Sequence, residues 1–246
     1  MDLKGKTVLI TGSSRGIGKA IAYAFAKKGC NLVLNASVSS DELLKTQEEL
    51  KSMGYYSYSY LADVSDYAQC VDMFNTISTI YGSVDILINN AGISYLGLFT
   101  DMKPENWNRI IDVNLKSVLN CCHLAVPKMV SHKSGIIINI SSIWGDRGAS
   151  CEAVYSATKG AVNSFTKAMA KELGPSGIRV NAISCGVIDT KMNQCFTEEE
   201  RDVLTEEISL MRFGTPEEIA NLAVFLAGNQ SSFINGQVIT SDGCMF

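Results

Sequence analysis

The chain has little from which to build a metal centre or a hydrolytic triad. Among its 246 residues there are only two histidines, His123 and His132, so a His-rich metal site is excluded and a Ser-His-Asp triad has almost nothing to draw on. The eight cysteines, Cys30, Cys70, Cys121, Cys122, Cys151, Cys185, Cys195 and Cys244, form no C-x-x-C pair. They read as reduced, mostly buried thiols rather than a disulfide framework. No apolar run approaches the roughly 18 residues that span a bilayer, and the opening MDLKGKTVLI has neither the apolar core nor the cleavage site of a signal peptide. A soluble, cytoplasmic protein with no membrane partner is expected. The net charge of -4 comes from interspersed acids and bases, without the basic stripe that nucleic acid demands. Proline is scarce as well: Pro104, Pro127, Pro175 and Pro216 leave every expected strand uninterrupted, and Pro104 and Pro216 stand where helices should begin.

What the chain does have is apolar surface in two rhythms. With 46% hydrophobic and 19% charged residues, it can bury one large core, and a single domain over residues 1–246 is expected. The runs TVLIT, NLVLNA, YSYSYLADV, DILINNAG, GIIINISS, RVNAISCG and QVITSDG alternate with amphipathic segments near 15–28, 41–53, 66–81, 104–131, 153–174 and 216–227. Strands covered on both faces read as unbroken apolar runs, and strand-helix alternation implies right-handed crossovers. The expected fold is therefore α/β, a Rossmann-like doubly wound domain of about seven parallel strands flanked by helices.

Between the first strand and the first helix lies Thr11-Gly-Ser-Ser-Arg-Gly-Ile-Gly18. Glycine stabilises helices least, so three at a helix mouth need another reason. In a doubly wound sheet this turn can hold a dinucleotide: Gly12 permits the sharp turn, Gly16 lets backbone approach a diphosphate, and Gly18 lets helix pack close to strand. Free N–H groups and the dipole at the helix start attract phosphate. The plainer alternative is an ordinary strand-to-helix turn with one packing glycine.

The spacing T-G-x-x-x-G-x-G, the stretch NNAG at Asn89–Gly92, VNL around Asn114, Ser142, and Tyr155-Ser-Ala-Thr-Lys159 together resemble the short-chain dehydrogenase/reductase family, over essentially the whole chain. The chemistry that the resemblance implies can also be argued from the residues. Reducing a carbonyl by hydride needs a proton donor at the developing alkoxide, and the reverse reaction needs a base there. A tyrosine titrates near pH ~10, so working near neutrality asks for roughly 3–4 kcal/mol in favour of the phenolate. Lys159, four residues after Tyr155 on an expected helix, shares its face and could supply the cation. Alternatively, Lys159 simply snorkels to water. By resemblance, Ser142 hydrogen-bonds the substrate carbonyl while Ser141 faces the other way, and Asn114 holds a water in the proton path from Lys159 rather than being a solvent-facing amide.

The resemblance also implies nicotinamide cofactor contacts at Gly12, Ser14, Arg15, Gly16, Ile17, Gly18, Asn90, Ala91, Gly92, Tyr155, Lys159, Gly186, Ile188 and Thr190, and adenine contacts at Asp63 and Val64. Asp63 could equally cap a strand end. From Asn31 to Ser40 there is no acid to bind ribose hydroxyls. Arg15 could pair with a 2′-phosphate, and Asn35 and Ser37 could add hydrogen bonds, so NADP(H) is the expected cofactor. The plainer reading of Arg15 is a surface arginine. Cys185-Gly186 stands where the family usually has Pro-Gly; Cys185 is either a packed thiol or an oxidation-sensitive one. The charged stretch after the sixth strand should form a helical, mobile substrate lid near 187–213.

End to end, the chain looks most like 3-oxoacyl-[acyl-carrier-protein] reductases of fatty-acid synthesis, which would make a carbonyl on an acidic carrier the substrate. A sibling enzyme of sugars, polyols, steroids or other free alcohols shares the same motifs, and a non-catalytic nucleotide-binding regulator on the same fold is a third alternative. A carrier's dock should be basic near the active-site mouth; Lys133 matches one docking position of that group, and Ser176 departs from the other. The segments 104–131 and 153–174 carry more apolar residues than one sheet-facing stripe requires. In the resembling family these helices pair with their copies, and a homotetramer is expected.

Overall fold

A computed structural model of the chain describes residues 3–38, 40–194 and 196–245; Cys195, one of the eight thiols, lies outside them. In chain order the main elements are β1 (Thr7–Ile10), α1 (Gly16–Ala26), β2 (Asn31–Ala36), α2 (Ser40–Ser52), β3 (Ser57–Leu61), α3 (Tyr67–Tyr81), β4 (Ile86–Asn89), α4 (Pro104–Ile111), α5 (Ser117–His132), β5 (Gly135–Ser142), α6 (Trp144–Arg147), α7 (Ala153–Leu173), β6 (Ile178–Cys185), α8 (Glu198–Glu206), α9 (Pro216–Ala227) and β7 (Val238–Ser241). The seven strands form one sheet in the order β3-β2-β1-β4-β5-β6-β7, all parallel.

The unbroken apolar runs arise because both faces of the sheet are covered. Along β1, Val8 and Ile10 pack on one side with Ile21 and Phe25 of α1 and with Ala220 and Ala223 of α9. Leu9, pointing oppositely, joins Met73 of α3, Cys121 of α5 and Val162 of α7. Burying each such side chain contributes about 1.5–3 kcal/mol, so the alternation fixes which helix covers which face.

Local signals set the helix starts. Asp66 accepts hydrogen bonds from the backbone N–H groups of Ala68 and Gln69 at the mouth of α3. Thr215 and Glu218 form a capping box on α9, with Pro216 in its first turn. The single amphipathic segment expected over 104–131 is instead interrupted. Between α4 and α5, residues Asp112–Lys116 form a π-helical turn, the wide geometry that tends to mark functional positions in helices. No described helix is long and apolar enough to cross a membrane.

Candidate active site

Strand order reverses between β1 and β4, which leave the sheet's middle for opposite sides, and a crevice opens beyond their carboxyl ends. The glycine turn closes one wall of this crevice. Gly12 has φ +63°, and a Cβ there would lie 2.9 Å from the Ala91 Cα. At Gly18 a Cβ would collide with the Gly12 carbonyl oxygen and come within 2.5 Å of the Asn90 Nδ2. The sharp turn and the close packing read from the sequence are therefore both present. Asn90 Nδ2 donates to the carbonyls of Thr11 and Gly12, each at 2.9 Å. The Thr11 hydroxyl accepts from the N–H groups of Asn90 and Ala91, so one side chain staples the ends of β1 and β4 together. Ser14 is buried and its carbonyl accepts from Thr46 Oγ1 at 3.1 Å, while Ile17 packs against the core. No side chain caps the opening N–H groups of α1. Those groups, together with a cradle that admits no Cβ at Gly12 or Gly18, fit a diphosphate.

On the far side of the crevice, β5 ends at Ser142 and α7 presents Tyr155 and Lys159. Ser142 Oγ accepts from the Trp144 N–H at 3.3 Å and hydrogen-bonds the Tyr155 phenol, which it favours as phenolate. Ser141 points to the opposite face and donates to the Lys159 carbonyl. The Lys159 ammonium lies 5.6 Å from the Tyr155 ring centroid but donates to the Ile140 carbonyl at 2.9 Å. This differs from the expected charge balance: burial pushes the Tyr155 phenol up, against the Ser142 hydrogen bond, with Glu152 and Cys185 adding to the rise. Burial likewise lowers Lys159 to about 8. Desolvation dominates both because the pair shares one water-poor corner.

Asn114 sits in the π-helical turn and is buried. Its Oδ1 accepts from the Ile93 N–H and its Nδ2 donates to the Ile93 carbonyl, both at 2.8 Å, with Thr158 Oγ1 as a further acceptor at 3.3 Å. It is therefore no solvent-facing amide. Gly92 keeps the space beside it clear: a Cβ there would stand 3.4 Å from Asn114 Oδ1 and 3.6 Å from Lys159 Nζ.

Other expected contacts fall differently. Asn35 is buried and donates to the carbonyls of Tyr60 and Ala62, so it joins β2 to β3, whereas Ser37 is exposed. Arg15 pairs with Glu42 at 3.1 Å. Asp63 accepts from Ser65 and pairs with Arg109 at 2.9 Å; although burial works the other way, these partners hold its carboxyl below the usual range. The Val64 carbonyl accepts from Asn120 Nδ2. Lys133 precedes β5 and Ser176 precedes β6, at the sheet end opposite Ser142. Eight residues of strand at about 3.3 Å each put them roughly 23 Å from the mouth, so within one chain they do not border it.

The segment after β6 packs against the glycine turn and the end of β7. Gly186 presses on Asp242, where a Cβ would be 2.7 Å from its Cα. Ile188 bridges to Gly214, and Thr190 Cγ2 lies 3.4 Å from where a Gly16 Cβ would stand. The expected helical character is present in α8, started by a capping box between Thr197 and Glu200. Ile143, Val187, Ile208, Phe213 and Met245 form a small core beneath it. Ile208 bridges to Met245, whose carbonyl accepts from Arg147. Cys185 is packed, and burial pushes its thiol up to about 12 despite nearby Lys159, which fits the packed reading rather than the reactive one.

Three residues escaped the sequence reading. Thr11 had a faint signal in standing just ahead of the first glycine. Glu42 stands two residues beyond the acid-free stretch Asn31–Ser40. Glu152, three residues before Tyr155, carried none: burial raises its carboxyl, opposed by a hydrogen bond with Ser94.

A family model described as enoyl-(acyl carrier protein) reductase matches residues 12–245. A 3-oxoacyl-[acyl-carrier-protein] reductase of Staphylococcus epidermidis is 40% identical over 241 residues, 98% of this chain and 99% of its own. Among solved structures, a 3-oxoacyl-[acyl-carrier protein] reductase with bound NAD from Brucella melitensis aligns with a TM-score of 0.91 at 34% identity, covering 99% of this chain and 92% of that one. A putative gluconate dehydrogenase from Agrobacterium tumefaciens aligns with a TM-score of 0.96 at 33% identity, covering 99% and 97%.

Proposed function

This chain belongs to the short-chain dehydrogenase/reductase family of oxidoreductases, and on that footing we propose that it reduces the ketone of a 3-oxoacyl thioester carried on acyl carrier protein, using NADPH. The observation that carries the reading is the convergence of Ser142, Tyr155, Lys159 and Asn114 on one corner of the crevice, opposite an uncapped helix start fit for a diphosphate.

A bound reduced nicotinamide supplies the hydride. The rest falls to the chain. Ser142 Oγ orients the carbonyl oxygen, and the Tyr155 phenol, kept protonated by burial, donates to that oxygen as charge develops on it. Lys159, 5.6 Å from the Tyr155 ring centroid, would offset the phenolate that remains, and its ammonium could also hold the ribose of a bound nucleotide. Because the Asn114 side chain is committed to Ile93 and Thr158, a water relaying protons to Lys159 is held by the backbone of the π-helical turn. Gly12, Ser14, Gly16, Ile17 and Gly18 would cradle the diphosphate, Asn90, Ala91 and Gly92 would line the nicotinamide side, Gly186, Ile188 and Thr190 would meet its carboxamide, and Asp63 and Val64 would meet the adenine. The stretch 187–213 acts as the lid over the substrate.

A second reading, a free polyol or sugar acid as substrate, is supported by the uncharged Ser176 at a position where a carrier's dock would be basic and by the likeness to the putative gluconate dehydrogenase. The test is a steady-state panel: a 3-oxoacyl thioester on carrier protein, the same acyl group on a small thiol, and free sugar acids and polyols, each with both nicotinamides. Preference for the carrier-bound thioester supports the first reading. Turnover confined to free alcohols replaces it with the second.

A further inference from the structure

The first turn of α2 reaches back over the glycine turn. Glu42 Oε2 accepts from Arg15 Nη1 at 3.1 Å, and Glu42 Oε1 accepts from Lys191 Nζ at 2.5 Å. One carboxylate thus bridges a cation of the glycine turn and a cation of the segment after β6. Its position is built, not incidental: Thr46, fully buried one helical turn later, donates to the Ser14 carbonyl at 3.1 Å and to the Glu42 carbonyl at 2.9 Å. That pins the start of α2 to the turn.

We infer that Glu42 is a specificity residue for the nucleotide, the anion that a 2′-phosphate must displace from Arg15 and Lys191. The inference rests on the nucleotide reading of the crevice. Two cations face one negative charge, so the cluster keeps a net charge of +1. A phosphomonoester carries close to two negative charges at neutral pH and offers three acceptor oxygens, so it neutralises the pair more completely than a carboxylate does. Both ion pairs are solvent-exposed and hence weak, which lets a phosphate replace them. A nucleotide with a bare 2′-hydroxyl gains nothing from expelling Glu42, whose carboxylate can accept that hydroxyl instead.

The test is calorimetric titration of the protein and of Glu42→Gln with 2′,5′-ADP and 5′-AMP, then with NADP+ and NAD+, at low salt. With two ordinary exposed ion pairs setting the scale, Glu42→Gln should bind 2′,5′-ADP roughly five- to tenfold tighter. Binding of 5′-AMP should move less than about twofold, and the gain should shrink as salt rises. Equal tightening of both nucleotides would place the cations on the shared 5′-phosphate and overturn the inference, as would no change in either. If the unmutated protein prefers 5′-AMP yet the ratio still moves in Glu42→Gln, the NADP reading fails while the role of Glu42 stands. If it binds no nucleotide at all, the crevice reading fails and the inference falls with it.

Discussion

Replacing Lys159 with methionine should make the protein more stable near neutral pH while abolishing turnover. Burial lowers the ammonium from its ordinary 10.5 to about 8. At about 1.4 kcal/mol per pH unit, the folded chain bears a penalty of about 3 kcal/mol for holding that charge near pH 7. Methionine, of similar length, removes the penalty but leaves the Ile140 carbonyl, now accepting at 2.9 Å, without its donor, which costs about 1–3 kcal/mol. A net gain of about 0–2 kcal/mol is expected. The pH dependence has a fixed sign. Between about 8 and 10.5 the unfolded chain binds more protons at this site than the folded one, so the unmutated protein gains stability as pH rises through that window. Lys159→Met cannot follow, so its advantage should shrink and then reverse. Urea denaturation of both proteins at about pH 7, 8.5 and 10.5 measures this. A mutant less stable at pH 7, or a difference that stays flat across the window, would refute the desolvation argument.

Tyr155→Phe should lower turnover at least about a hundredfold while calorimetric nucleotide affinity stays nearly unchanged; near-normal turnover would remove the phenol from the mechanism. Gly18→Ala, whose Cβ would press on the Gly12 carbonyl and Asn90 Nδ2, should cost about 2–4 kcal/mol through overpacking and the strained Asn90 bonds, read by denaturant midpoint, and should weaken nucleotide binding as well. Phe165 of α7 is half-buried against its own core, and Leu119 of α5 and Ile111 of α4 are exposed. Sedimentation should give a tetramer for the unmutated chain and smaller species for Phe165→Asp with its circular dichroism intact. A fully active monomer would defeat the assembly expectation.

The strands and most helix limits were legible because their cause is local: an apolar run covered on two faces, a proline in a first turn, an Asp or Thr cap. The glycine turn was legible for the same reason, since each glycine answers a constraint within a few residues. What escaped depends on distant partners. Asn114 stands in a π-helical turn with its amide held by Ile93, 21 residues earlier; the amphipathic rhythm continues through the turn and hides it. Asn35 looked free at the end of a strand, yet it is spoken for by β3. Arg15 looked available because its counter-ion belongs to the next helix. The balance between Tyr155 and Lys159 was also out of reach, because spacing tells which side chains share a face but not how much water remains between them.

The pairing of Ile208 with Met245 also has a consequence in time. A chain leaves the ribosome from its amino end, at about 5–20 residues per second, and early segments begin to fold first. The glycine turn, Asn90 and the whole of α7 have emerged by Leu173, but Ile208, in the segment after β6, pairs with a residue 72 positions after Leu173. For roughly 4–14 s that partner is missing. Ala220 and Ala223 of α9, which cover β1, also emerge in that interval, so the glycine turn gains its full packing only late in synthesis.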